Sequence, residues 1–149
     1  MTVIDQIKKL REETSAGVIE TKKALEDAGG DFAKAKELLQ ERGVAKAAKK
    51  SDRQSSEGLV ATYVHATGKI ASLVELFCET DFVARTEDFK KLSQELALQV
   101  AATDPKDSGE LLSQDYVREP SKTVQDLINE VIAKVGENVR VGRFVRFQI

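Results

Sequence analysis

The strongest constraint on the fold is a change in hydrophobic period along the chain. Residues 1–43 carry apolar side chains at helical spacing in three short pieces, whereas residues 58–78 are rich in the β-branched and aromatic residues typical of strands. Residues 44–57 contain a basic cluster and almost no bulky apolar side chain. The pattern predicts a helical unit over 1–43, a linker over 44–57 that is partly helical at first, and an α+β unit over 58–149.

Capping residues divide the first unit into three predicted helices. Thr14-Ser15 is expected to cap the second helix and Gly29-Gly30 to end it. Asp31 is expected to cap the third helix, and Gly43 fits the position just after its end. Three helices of this length can pack into a small bundle, near the lower size limit for independent stability.

The second unit is predicted to form a two-layer α+β structure. Strands are expected over 59–65, 69–78 and 139–147, and helices over about 86–104 and 123–135. Irregular chain is expected over 104–122, with Leu111 and Leu112 anchored in the core. A hairpin plus a returning strand, covered on one face by two helices, gives a three-stranded antiparallel sheet packed against helices.

Composition narrows the possible partners. The chain has 149 residues, of which 32% are charged, and a formal net charge of −2, which argues against nucleic-acid binding through bulk electrostatics. A single cysteine, Cys78, excludes an intramolecular disulfide and suits a reducing cytosol. No apolar run approaches the roughly 20 residues of a membrane span, and no leader-like segment is found at the start. A cytoplasmic protein without a membrane or nucleic-acid partner is expected.

The sequence lacks the residue patterns of common catalytic sites. One histidine, His65, and one cysteine cannot supply the spacings of a metal site, and no glycine-rich phosphate loop is present. Glu79 and Asp81 are close in sequence, but nothing around them supplies the desolvation or orientation of an acid–base pair. We therefore expect a binding protein with no catalytic residue, no cofactor and no metal.

The residues between the second predicted strand and the following helix, 79–85, are called the junction here. They read ETDFVAR and place an acid, Asp81, beside an aromatic, Phe82. Loops on rigid scaffolds often carry function, and an exposed aromatic suits insertion into a partner's pocket. On residue type alone, the simpler interpretation places Phe82 in the core and uses Asp81 as a helix cap. Both interpretations stay open at this point.

Three groups of motifs, in order along nearly the whole chain, resemble the translation elongation factor Ts family. The motifs are IKKLREETSAGV with KKALEDAGGD and GVAKAAKK, then ETDFVAR, then IAKVGEN with RFVRF. The resemblance implies an N-terminal three-helix bundle similar to a ubiquitin-associated (UBA) domain, followed by the family's α+β core. It also implies a guanine nucleotide exchange factor for elongation factor Tu, the GTPase that delivers aminoacyl-tRNA, acting without covalent catalysis.

The family's functional segment is implied to press into the GTPase near its magnesium and phosphate site, dislocating the metal ion. The residues implied to contact the partner are Thr80, Asp81, Phe82 and Val83 at the junction and Ala16, Gly17 and Val18 in the N-terminal unit.

The sequence departs from the family pattern in composition and in length. Ser15, Val18-Ile19, Ala66 and Phe77 replace a Gly, a Met pair, a His and an Asn that are common there. Between about 102 and 109 the chain lacks several tens of residues, and it lacks the second core subdomain and coiled coil of the longest members. Contacts with the partner's distant domains, and any self-association through the missing part, are left open.

Three other functions compete with nucleotide exchange. A UBA-type adaptor would bind through Ala16-Gly17-Val18 and leave nucleotide release unchanged, and an enzyme would use Glu79 and Asp81. A nucleic-acid binder would show affinity that falls steeply with salt. Its candidate residues are Lys46, Lys49, Lys50, Arg53, Arg143 and Arg146.

Overall fold

A computed structural model describes residues 1–149 as seven helices and one three-stranded sheet. The elements are α1 (Val3–Thr14), α2 (Val18–Asp27), α3 (Phe32–Lys50), β1 (Glu57–Val64), β2 (Ile70–Cys78), α4 (Asp81–Ala84), α5 (Glu87–Thr103), α6 (Ser108–Ser113), α7 (Val124–Val135) and β3 (Arg140–Gln148). The predicted α+β class, with three N-terminal helices before the sheet, is confirmed.

Helices α1, α2 and α3 pack around a small apolar cluster made of Leu10, Ala24, Leu25, Ala35 and Leu39. The predicted cap of the second helix is wrong. Thr14 is the last residue of α1, and its hydroxyl donates 2.6 Å back to the carbonyl of Leu10. Ser15 ends α1 in the left-handed conformation (φ 59°), and Gly17 precedes α2.

Helix α3 does not end at Gly43, as capping rules predict, but continues to Lys50. Its second half packs against α7, and Ala47 belongs to the large core of the α+β unit rather than to the N-terminal cluster. Residues 44–57, predicted as a linker, thus begin with about two more helical turns. Ser55 is buried, and its hydroxyl accepts a 2.8 Å hydrogen bond from Arg140 Nε. Tertiary packing has overridden the local stop signal.

The sheet has the order β1-β2-β3 with both pairs antiparallel. Helix α5 lies across β1 and β2, and α7 packs against α5 and α3. The largest fully buried side chains between these layers include Val74, Leu76, Phe89, Leu96 and Ile128. The main core therefore lies between the sheet and α5, with α7 as a second covering helix.

Polar side chains hold the region after α5, which was predicted to be irregular but contains the short helix α6. The buried amide of Gln99 donates 3.1 Å to the carbonyl of Asp115 and accepts 3.0 Å from the backbone N–H of Val117. Leu111 is fully buried, as predicted, and Leu112 packs partly against the core. These contacts hold the chain that follows α6 against α5.

Two glycines give opposite predictions for an added methyl group. A Cβ at Gly58 (φ +151°) would lie 2.0 Å from the carbonyl oxygen of Leu76. Gly58→Ala should therefore lower the free energy of unfolding by about 3 kcal/mol or more, the upper end of single substitutions.

A Cβ at Gly43 meets nothing within 4 Å in a helix interior, so Gly43→Ala should raise the free energy of unfolding by about 0.5–1 kcal/mol. Urea denaturation measures both changes. A destabilised Gly43→Ala would contradict the continuous helix α3, because alanine is unfavourable in a left-handed cap.

Candidate functional site

The junction lies between the end of β2 at Cys78 and the start of α5 at Glu87, and it contains the one-turn helix α4. Thr80 caps α4, because its hydroxyl accepts from the backbone N–H of Val83 at 3.4 Å. Val83 and Ala84 are buried, whereas Asp81 and Phe82 point outward and Phe82 is 78% exposed. Phe82 is therefore not a core residue, and the cap is Thr80 rather than Asp81. The interpretation of Phe82 and Asp81 as core and cap is wrong.

A side chain from the turn between α7 and β3, at the same end of the sheet, anchors the backbone of the junction. The Glu137 carboxylate accepts from the backbone N–H groups of Glu79 at 3.1 Å and Thr80 at 3.0 Å. It also accepts from the hydroxyl of Thr80 at 2.7 Å. In return, the Glu79 carboxylate accepts from the backbone N–H of Asn138 at 2.8 Å. Two glutamates thus tie the junction to the turn between α7 and β3.

The same turn also contacts the chain that leaves the N-terminal helices. The buried amide of Asn138 donates to the carbonyl of Arg53 at 3.0 Å and to that of Ser51 at 3.5 Å. Glu79 lies 3.7 Å from a guanidinium nitrogen of Arg53. The end of α3, the turn after α7 and the junction therefore meet in one hydrogen-bonded region.

Cys78, the last residue of β2, lies fully buried beneath the junction. Its thiol donates to the carbonyl oxygen of Thr80 at 3.1 Å. Burial, and secondarily the nearby Glu137 carboxylate, raises the pKa of the Cys78 thiol to about 11. The thiol is therefore a structural donor and not a nucleophile.

The N-terminal candidates lie at the turn between α1 and α2. Ala16 packs partly against the bundle cluster, whereas Gly17 is exposed at the start of α2. Val18 is 50% exposed and Ile19 is 85% exposed, so both apolar side chains are accessible at the start of α2. No hydrogen bond or ion pair joins this turn to the junction. The structure therefore presents two separate sets of candidate residues.

Glu79 and Asp81, the pair considered for acid–base chemistry, have different surroundings. The Glu79 carboxylate is held by Asn138, whereas Asp81 forms an exposed ion pair with Arg85. No group of three or more His, Cys, Asp or Glu side chains is arranged to hold a metal ion. The two carboxylates therefore do not converge on one point.

Most of the basic residues considered for nucleic-acid binding have partners within the protein. Lys46 pairs with Glu20 at 2.7 Å, and Arg146 donates to the carbonyl of Ala101 at 2.8 Å. Arg143 pairs with Glu75, and its side-chain and then its backbone hydrogen bonds lower the pKa of that carboxyl to about 2. The acidic partners therefore offset much of the positive charge in this set of residues, in keeping with the net charge of −2. None of the helices has the length and apolar character needed to cross a membrane.

The fold and the site define a small α+β protein that presents an acid and an aromatic from a strand-to-helix junction held by hydrogen bonds. A family model described as Elongation factor TS matches residues 79–149. The chain is 41% identical to elongation factor Ts of Herpetosiphon aurantiacus, over 98% of this chain and 96% of the relative. It is 43% identical to that of Thermotoga petrophila, over 98% and 95% respectively. The chain belongs to the elongation factor Ts family, as its motifs indicate, and its role is in translation elongation.

The comparisons also show differences in length. The alignment with the Herpetosiphon relative spans 191 positions, more than the 149 residues of this chain, so the relative contains residues without a counterpart here. That agrees with the segment predicted to be missing. Elongation factor Ts of Aquifex aeolicus is 47% identical over 97% of this chain, which covers 51% of that relative.

The state of Cys78 can be tested by its reactivity. Raising the thiol pKa from 9.0 to about 11 lowers the native thiolate fraction at pH 8 by roughly 100-fold, and burial adds a steric barrier. We expect slow labelling by a thiol reagent under native conditions and fast labelling in denaturant. Labelling in the native state at the rate of an unfolded control would contradict the position of Cys78 beneath the junction.

Proposed function

We propose that this protein is a guanine nucleotide exchange factor for elongation factor Tu, promoting GDP release without covalent catalysis. Thr80, Asp81, Phe82 and Val83 form the segment that acts near the GTPase's magnesium and phosphate site. Asp81 and Phe82 contact the GTPase. Thr80, through its bond to Glu137, and Val83, through its burial, hold the backbone of this segment against the protein. The observation that carries the proposal is the 78% exposure of Phe82 on a segment with half-buried Thr80 before it and buried Val83 after it.

The physical basis of exchange is thermodynamic linkage. A factor that binds the nucleotide-free GTPase more tightly than the nucleotide-bound form must weaken nucleotide binding by the same ratio. Phe82 placed between side chains beside the metal site favours a state in which the metal and phosphate contacts are disturbed. GDP then leaves, and an incoming nucleotide displaces the factor.

The ion pair between Asp81 and Arg85 leaves Asp81 available to a partner. Both side chains are more than half exposed, and exposed pairs of this kind contribute only about 0–1 kcal/mol. The Asp81 carboxylate therefore exchanges Arg85 for a hydrogen-bond donor of the GTPase at little cost. In that position it stabilises the displaced arrangement or repels the phosphate charge.

The turn from Ala16 to Val18 supplies a second contact with the GTPase. Val18 and its neighbour Ile19 form an exposed apolar pair at the start of α2, and Gly17 lets a partner approach the backbone closely. Docking through this turn increases affinity but does not itself disturb the nucleotide. The two sets of residues therefore have separable effects on the exchange reaction.

Phe82→Ala tests the insertion. The melting temperature should hardly change, because an exposed side chain is removed. The maximal rate of GDP release should fall by roughly 30- to 1000-fold, which corresponds to about 2–4 kcal/mol for an aromatic anchor at an interface. The measurement is release of fluorescently labelled GDP from elongation factor Tu at saturating factor. Asp81→Ala should show a smaller loss.

A matched aromatic control is Phe147→Ala, since Phe147 is also exposed, at 69%, but lies near the end of β3. It should leave the exchange rate unchanged. A Phe82→Ala protein that melts normally and still releases GDP at the wild-type rate would exclude the insertion mechanism.

Val18→Ser tests the docking turn separately. The half-saturating concentration of the factor should rise several-fold, since an apolar side chain contributes about 1 kcal/mol or more when it is buried in an interface. The maximal release rate at saturation should stay near that of the wild type. A lowered maximal rate with an unchanged half-saturating concentration would assign the turn to the exchange step and contradict docking.

A further inference from the structure

We propose that Glu137 is a positioning residue for nucleotide exchange, holding the junction so that Phe82 is presented in the inserting conformation. The inference rests on the proposed function and assigns a role to a half-buried residue outside the junction. Glu137 lies 57 residues from Thr80 in sequence, on the turn between α7 and β3.

The first argument is the lack of strand partners at this point of the sheet. β2 pairs with β1 as far as Cys78 and with β3 as far as Phe77. The backbone N–H groups of Glu79 and Thr80 lie beyond these ladders, and both donate to the Glu137 carboxylate instead. Unpaired amides in a half-buried region carry a free-energy penalty, so the carboxylate determines the path of the chain here.

The second argument is the direction in which Phe82 points. The third bond to Glu137 comes from the Thr80 hydroxyl, which also accepts from Val83 and so caps α4. A one-turn helix has no stability of its own and depends on its cap and its buried residues. By holding Thr80, Glu137 positions the helical turn of α4, in which Val83 points into the core and Phe82 points into solvent.

The third argument is charge. Glu137 receives three donated hydrogen bonds and has no cationic partner, and a hydrogen bond to a charged group contributes more than one between neutral groups. A glutamine at this position keeps one acceptor oxygen for the two backbone N–H groups, and its amide can donate to the Thr80 hydroxyl. An alanine keeps none of these contacts. The two substitutions therefore separate loss of the contacts from loss of the charge.

The experiment measures GDP release from elongation factor Tu over a range of factor concentrations. Glu137→Ala should lower the maximal rate by roughly ten-fold, equivalent to about 1.4 kcal/mol in the exchange barrier. Its half-saturating concentration should stay unchanged, because the docking turn is intact. Glu137→Gln should retain most of the wild-type maximal rate of GDP release. Glu110→Ala, a matched change on α6, should behave like the wild type.

A double-mutant cycle distinguishes positioning from general destabilisation. If Glu137 acts through Phe82, the Glu137→Ala/Phe82→Ala protein should be no slower than Phe82→Ala. Losses that multiply in the double mutant would overturn the proposal. If Glu137→Ala does not fold by circular dichroism, Thr80→Val, which removes the third bond together with the α4 cap that it positions, takes its place in the same cycle.

Amide hydrogen exchange provides a measurement that is independent of activity. The N–H groups of Glu79 and Thr80 should be protected in the wild type and exchange faster in Glu137→Ala, while α5 stays protected. Unchanged protection of these two amides would overturn the positioning role. A wild-type chain that does not accelerate GDP release would exclude the proposed function, and the amide measurement would still decide whether Glu137 holds the junction.

Discussion

The candidate binding surface depends on a carboxylate that replaces missing backbone partners where β2 leaves the sheet. Backbone N–H groups need acceptors wherever water is restricted, and those of Glu79 and Thr80 find theirs in Glu137. The reciprocal bond from Asn138 to Glu79 joins the same turn from the other side. In both directions the donors are backbone N–H groups. These hydrogen bonds therefore fix the path of the main chain at the junction, independently of the exposed side chains.

The elements whose ends are decided by local chemistry could be predicted from the sequence. Thr86 and Thr123 cap α5 and α7, and Asp104 and Gly136 end the same two helices in the left-handed conformation. Gly43 shows the limit of this reasoning. It has the residue type of a helix end, but the helix continues because residues beyond it, such as Ala47, pack into the core beside α7. That contact is non-local, so no pattern within α3 indicates it.

The position of the candidate site could be predicted, but its construction could not. The junction motif and the resemblance point to Asp81 and Phe82, whereas the residue type of Phe82 alone favours burial. Its exposure follows from Thr80 capping α4 and from Val83 turning inward, which only the three-dimensional arrangement shows. Glu137 is present in the third motif, but it lies more than 50 residues from the junction in sequence. Its hydrogen bonds to Glu79 and Thr80 therefore could not be predicted from a local pattern.

A hydrogen-bonded junction and a weak ion pair together suit the proposed exchange role, in which the factor binds and then dissociates. Ordering a loop on binding costs free energy, and a backbone already held at Glu79 and Thr80 avoids that cost. Asp81, in contrast, gives up only an exposed pair with Arg85 when a partner approaches. The backbone that carries Phe82 is held in place, whereas the Asp81 carboxylate can exchange Arg85 for another partner. The proposed contacts with the GTPase could therefore form without unfolding or repacking of the core beneath the junction.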